Sequence, residues 1–156
     1  MKILCIVSCG RRKIWDKYPG LGAVRARDAY TGPLVRLAVA YAEKYHPNSW
    51  VILSAKYGFL YPNELIPGPY DVSFKRRSPE VISIEELRRQ VLSKGLEKYD
   101  AIMVLAGKTY VDVVRKVFAG KTIYAPLEGL PLGKMMRKLK DAIESGKPLV
   151  KVDDDG

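Results

Sequence analysis

The chain has 156 residues, with 27 Lys and Arg against 17 Asp and Glu and a single His, giving a formal charge of +10. That length suits one domain, and 47% apolar residues are ample for a core, which excludes wholesale disorder. No apolar run approaches the roughly 20 residues that span a bilayer, so no membrane partner is expected.

The run 2–7 is short, apolar and β-rich, and it ends at a Ser8-Cys9-Gly10 turn, which predicts a buried first strand. It lacks the longer apolar stretch of a secretory signal, so a cytoplasmic protein is expected. A Gly- and Arg-rich loop follows to Gly32, and Pro33 then opens a helix toward Tyr45 that His46-Pro47-Asn48 breaks. A second strand is predicted over 50–54. Segment 55–79 carries four prolines and no clear period, so it reads as a long loop, and loops of that length are usually functional or disordered. Ser83 with Glu85 and Glu86 caps a helix running to about Leu96. A third strand over 101–105 turns through Ala106-Gly107 into a helix over 109–118. A short fourth strand over 122–124 precedes a final helix over 132–143. Strands alternating with helices at this spacing predict a three-layer α/β fold, with a mainly parallel central sheet of about four strands and helices on both faces. The domain is expected over 1–150, with a flexible acidic tail over 151–156.

In open parallel sheets ligands sit beyond the carboxyl ends of the strands. Here those ends bring Ser8 and Cys9, then Ser54 with Lys56-Tyr57-Gly58, then Gly107-Lys108-Thr109, then Glu128, while the long loop adds Tyr70-Asp71. All four ends thus supply small or polar residues to one edge, which predicts a pocket there. Lys56 and Asp71 are the catalytic candidates by residue type: a lysine in an apolar loop can serve as base or nucleophile, and a carboxylate can pair with it or orient a substrate. The structural alternative is an ion pair pinning the loop. Glu128 is a second candidate carboxylate, or a helix cap. Tyr57, Phe59, Tyr61 and Tyr70 can stack on a base or simply pack the loop. Cys5 reads as a small buried hydrophobe, whereas Cys9 beside Arg11, Arg12 and Lys13 lines the site.

Basic residues cluster at Arg11, Arg12, Lys13, Arg25 and Arg27, and again at Lys75-Arg76-Arg77, which points to nucleic acid or phosphate as partner. Known phosphate motifs fail. Gly107-Lys108-Thr109 ends like a phosphate-binding loop, but the glycine required five positions earlier is Ile102, and Gly20-Leu21-Gly22 runs on to Arg25 where a dinucleotide fingerprint needs glycine. What remains is the helix start after Gly107, whose free N–H groups beside Lys108 suit an anion. No cofactor is indicated, and two cysteines with one His indicate no metal. A single Gln and two Asn fit a heat-adapted source.

Ser8-Cys9 with Lys13, the run Arg27-Asp28-Ala29-Tyr30-Thr31-Gly32-Pro33-Leu34, the block Leu53-Ser54-Ala55-Lys56-Tyr57-Gly58-Phe59-Leu60, and Pro69-Tyr70-Asp71 resemble a small prokaryotic and viral domain family of unknown function. The resemblance continues through Leu105-Ala106-Gly107 and Pro126-Leu127-Glu128-Gly129 and covers nearly the whole chain. More distantly, segment 53–71 is similar to the YaaA-type peroxide-stress proteins, and Ser8-Cys9 through Lys13 to the archaeosine synthase core domain. The first similarity implies DNA binding and protection, the second chemistry on a modified base in tRNA. Together with the charge, these imply a nucleic-acid-associated protein, with a nucleobase- or nucleoside-modifying enzyme as the leading expectation. A non-enzymatic DNA-binding protein and a small-molecule enzyme using a loop lysine are the alternatives. In the leading reading Ser8, Cys9, Lys13, Asp28, Tyr30, Ser54, Tyr57, Gly58, Tyr70 and Gly107 hold the substrate, and Arg11, Arg12, Arg25, Arg27, Lys75, Arg76 and Arg77 grip the nucleic acid.

Overall fold

Runs of apolar residues without polar interruption cannot face water on either side, and three such runs form the centre of the sheet. A computed structural model describes residues 1–150, so the tail expected over 151–156 lies outside the described residues. In chain order the elements are β1 (Ile3–Ser8), β2 (Val24–Arg25), α1 (Ala26–Ala29), α2 (Pro33–Tyr45), β3 (Trp50–Ser54), β4 (Gly58–Leu60) and β5 (Leu65–Ile66). These are followed by α3 (Ile84–Ser93), β6 (Ala101–Leu105), α4 (Lys108–Val117), β7 (Thr122–Tyr124) and α5 (Leu132–Ser145).

The main sheet has the order β4-β3-β1-β6-β7, parallel throughout except for β4, which runs antiparallel to β3. Successive residues of a strand point to opposite faces, and the three central strands obey this strictly. Cys5, Val7, Ile52, Met103 and Leu105 pack with α2 and α5 on one face. Leu4, Ile6, Val51, Leu53, Ile102 and Val104 pack with α3 and α4 on the other. The fold is therefore the expected α/β architecture with helices on both faces.

The sheet is larger than expected. Segment 55–79 is not wholly loop: β4 folds back on β3, with Leu53 opposite Phe59 and Ser54 opposite Gly58. Farther on, β5 pairs antiparallel with β2 in a separate two-stranded ribbon. Strands of two or three residues are too short to display an alternation. Among the described residues no helix is long and apolar enough to cross a membrane.

The strand order fixes where a ligand belongs. From β1 the chain moves outward to β3, then crosses to β6 on the other side of β1. The order therefore reverses between β1 and β6, and the gap beyond their carboxyl ends is the crevice in which open α/β sheets bind ligands.

Candidate functional site: a cationic cleft at the switch point

A cleft of 1040 Å³ opens at that place, and Ser8, Cys9 and Gly10 after β1 and Gly107 after β6 contribute to its lining. One part of the lining is charged: Arg11, Arg12, Lys13, Lys75, Arg76 and Lys108 face a single carboxylate, Asp71. Another part is apolar, made by Leu34, Val35, Leu132, Met135 and Met136.

Three helices begin at this cleft. Gly32-Pro33-Leu34-Val35 of α2, Gly107-Lys108-Thr109-Tyr110 of α4 and Leu132 of α5 all line it. None of the three N-caps, Gly32, Gly107 and Pro131, supplies a side-chain hydrogen bond, and none of the three first turns contains an acidic residue. A helix start carries unpaired N–H groups and about half a positive charge, so it ordinarily recruits Ser, Asp or Glu. Here cations stand in their place, with Lys108 as the first residue of α4 and Lys134 in the first turn of α5. Such a field is unfavourable until an anion enters it. α3 provides the contrast: its start does not line the cleft, Ser83 accepts a hydrogen bond from the Glu86 N–H, and Glu85 and Glu86 fill its first turn.

Lys13 is the most unusual side chain of the lining. It is 6% exposed, and among the described residues no carboxylate lies within ion-pair distance of it. Its Nζ donates to the Arg11 carbonyl at 3.3 Å and sits 4.5 Å from the centroid of the Tyr70 ring. Its backbone is held by a bridge to Tyr30 and by the Asp16 carboxylate, which accepts from the Lys13 N–H at 3.0 Å. Burial pulls the ammonium below the ordinary lysine range, opposed by the negative potential of Cys9, Asp71 and Asp16 and reinforced by Arg76.

Behind Lys13 lies a hydroxyl chain. Tyr30 and Tyr70 are hydrogen-bonded through their hydroxyls, and Tyr70 Oη lies 2.8 Å from Ser54 Oγ. Ser54, fully buried, also accepts from the N–H groups of Lys56 and Tyr57 at 3.2 and 3.1 Å. Burial first, then neighbouring phenol and thiol groups, push Tyr30 and Tyr70 well above the ordinary tyrosine range. Cys9 Sγ lies 3.0 Å from Tyr110 Oη, whose hydroxyl is raised for the same reasons. Burial likewise raises the Cys5 thiol, which lies inside the sheet.

Of the residues singled out in the sequence, Ser8, Cys9, Arg11, Arg12, Lys13, Asp71, Lys75, Arg76 and Gly107 line one cleft. Lys56 and Asp71 do not pair. Lys56 Nζ is 4.0 Å from Glu80, and Asp71 is held by Arg76 at 2.5 Å, which keeps its carboxyl below the usual carboxylate range. At 74% exposure and held ionised, Asp71 is a weak base. Glu128 is bound by Arg115 of α4 at 2.8 and 3.1 Å and does not line the cleft. Asp28 is occupied by Arg25 and Arg27, and Arg27 also forks onto Glu43, so these charges are spent within the fold. Arg77 lines a shallower hollow with Phe74 and Pro79. Tyr57 packs edge-on to Tyr70, 5.3 Å between centroids, and neither lines the cleft. Phe59 is core against Phe118, and the Tyr61 hydroxyl donates to the Lys94 carbonyl. Gly58 is required by the backbone: its φ is +77°, and an added Cβ would lie 2.1 Å from Gln90 Oε1.

The apolar wall escaped the sequence reading. Met135 and Met136 lie on one helix and Leu34 and Val35 on another, and all resemble core positions. The one available signal was negative: three helix starts with no capping side chain and no acid.

The model of a family of unknown function (DUF6884) matches residues 4–141. The chain is 42% identical over 146 residues to the uncharacterised protein YfjM of Bacillus subtilis (strain 168), an overlap covering 92% of this chain and 97% of that protein. No solved structure matches it. The chain thus belongs to this family of unknown function, on a match that spans the cleft-forming segments from β1 to the first turns of α5.

Proposed function

We propose that the protein binds nucleic acid through the switch-point cleft and acts there on a base or nucleoside. The observation that carries this reading is the convergence of three uncapped helix starts, six cations and a set of apolar side chains on one cleft. A phosphate satisfies the first half of that lining and a nucleobase the second. Arg11, Arg12, Lys75 and Lys108 make no ion pair among the described residues, so they are available to a phosphate chain. The resemblance to YaaA-type proteins and to the archaeosine synthase core implies the same partner class. The second reading is a non-enzymatic DNA-binding protein, favoured by the absence of a second carboxylate beside Asp71 in the cleft lining.

Fluorescence anisotropy with single-stranded DNA, duplex DNA and tRNA at two salt concentrations tests the proposal. The Arg12→Ala, Lys108→Ala variant should lose at least about tenfold in affinity and flatten the salt slope by roughly two, one per phosphate contact. Arg89→Ala, on α3 and paired with Glu86, should change neither. Equal losses in both variants, or no binding by the wild type near physiological salt, would overturn the proposal.

A further inference from the structure

We infer that Lys13 is a nucleophilic amine that forms an imine with a carbonyl carbon on a phosphate-bearing ligand held in the cleft. This rests on the reading of the cleft as an anion site and adds to it a reacting atom. Three features of its setting argue for chemistry over simple charge. Lys13 is the one buried cation of the lining, while Arg11, Arg12, Lys75, Arg76 and Lys108 are exposed and already supply positive charge. No carboxylate lies within ion-pair distance of its amine, and a 3.3 Å contact to one carbonyl is the amine's single hydrogen bond among the described residues. The Tyr70 face, the bridge to Tyr30 and the Asp16 contact fix where its amine stands.

Burial favours the neutral amine and outweighs the opposing pull of Cys9, Asp71 and Asp16, and a phosphate anchored on the helix starts leaves an adjoining carbonyl within the same cleft. In the step, the ammonium first gives a proton to solvent. The Nζ lone pair attacks the carbonyl carbon and a C–N bond forms. The nitrogen's two remaining protons pass through solvent to the carbonyl oxygen, which departs as water, leaving C=N. Electrons are conserved and no further reactant enters. Such a carbonyl has two sources with the same chemistry, a small sugar phosphate or the opened sugar of a baseless nucleotide within a strand.

The experiment uses the full chain at pH 7 with sodium cyanoborohydride, which reduces the imine to a stable amine. Three aldehydes are compared: glyceraldehyde 3-phosphate, an oligonucleotide with one baseless deoxyribose, and glyceraldehyde without phosphate. Peptide mass spectrometry then locates the adduct. The expected result is Lys13 modified ahead of all other lysines by one phosphorylated aldehyde, at least about tenfold faster than by glyceraldehyde. Whichever phosphorylated aldehyde is faster identifies the source. Lys13→Arg should abolish the adduct, whereas Lys44→Arg, outside the cleft, should leave labelling of Lys13 unchanged. Labelling spread over exposed lysines such as Lys75 and Lys108, with Lys13 no faster, overturns the inference and leaves the binding proposal standing. Equal labelling of Lys13 with and without phosphate keeps the amine chemistry and fails the anion-site reading, so the two ideas fail separately.

Discussion

Gly58→Ala tests whether the Lys56-Tyr57-Gly58 turn is built for the backbone rather than for a ligand. The turn closes the hairpin from β3 to β4 and delivers Ser54 to the tyrosine chain behind Lys13. At φ +77° an alanine is strained by about 1 kcal/mol. Its Cβ would also lie 2.1 Å from Gln90 Oε1 and 2.7 Å from Ile82 Cδ1. Gln90 cannot swing away freely, because it accepts from the Phe59 N–H at 2.8 Å and donates to the Tyr57 carbonyl at 3.0 Å. Losing both bonds costs about 1 kcal/mol each. The total is about 3 kcal/mol, or a fall in Tm of roughly 6–12 °C for a chain of this size. Urea unfolding of Gly58→Ala, Gln90→Ala and the double variant measures it. Gln90→Ala alone should cost about 2 kcal/mol, and the double variant about 3 kcal/mol, well short of the sum of the singles because the clash partner is gone. A Gly58→Ala loss under about 1 kcal/mol, or simple additivity in the cycle, refutes the argument.

Three further outcomes rest on the site. Lys13→Met removes an unpaired buried ammonium, so stability at pH 7 should hold or rise by about 1 kcal/mol while oligonucleotide binding weakens. Because the folded-state pKa of Lys13 is lowered, the unfolded chain binds more protons between that value and the usual 10.5, so this group makes stability climb with pH there. The wild-type minus Lys13→Met stability difference should show that climb in urea midpoints taken from pH 7 upward. Ser54→Ala strips three hydrogen bonds from a fully buried position, to Tyr70 and to the N–H groups of Lys56 and Tyr57, and should cost about 3 kcal/mol by thermal unfolding.

β1, β3 and β6 were legible in the sequence because strands buried on both faces must be written as unbroken apolar runs. β4 and β5 were not, because they lie in a proline-rich stretch outside the strand–helix alternation that placed the equally short β7, and β5 finds its partner about forty residues earlier in the chain. The carboxyl ends of β1 and β6 announced the cleft through Ser8-Cys9-Gly10 and Gly107-Lys108-Thr109. The pairing of Lys56 with Asp71 failed for a definite reason: the loop supplies nearer partners, Arg76 and Glu80, and opposite charges close to one another satisfy each other first. Lys13 sits in a run of exposed cations, and nothing local distinguishes it. Its burial is made by Tyr30 and Tyr70, seventeen and fifty-seven residues away, which close over it only in the folded chain.

Apart from the one-turn α1, the helices of this fold are four, α2 to α5, and the fold alone would treat their starts alike. α3 has the stabilising solution, a Ser83 cap and two acids in the first turn, worth about 1 kcal/mol or more over an uncapped start. α2, α4 and α5 forgo it, and α4 and α5 place lysines where the helix field repels them. A merely structural account predicts capping at random among the four. Instead the three uncapped starts are the three that line the cleft, and the capped one is the one that does not. The anionic ligand proposed above would account for that partition: a side-chain carboxylate at those positions would occupy the N–H groups and cancel the charge that such a ligand needs. The same logic extends to Lys13, whose one internal acceptor is a neutral carbonyl, so that it too is left without an internal anion at the edge of this cavity.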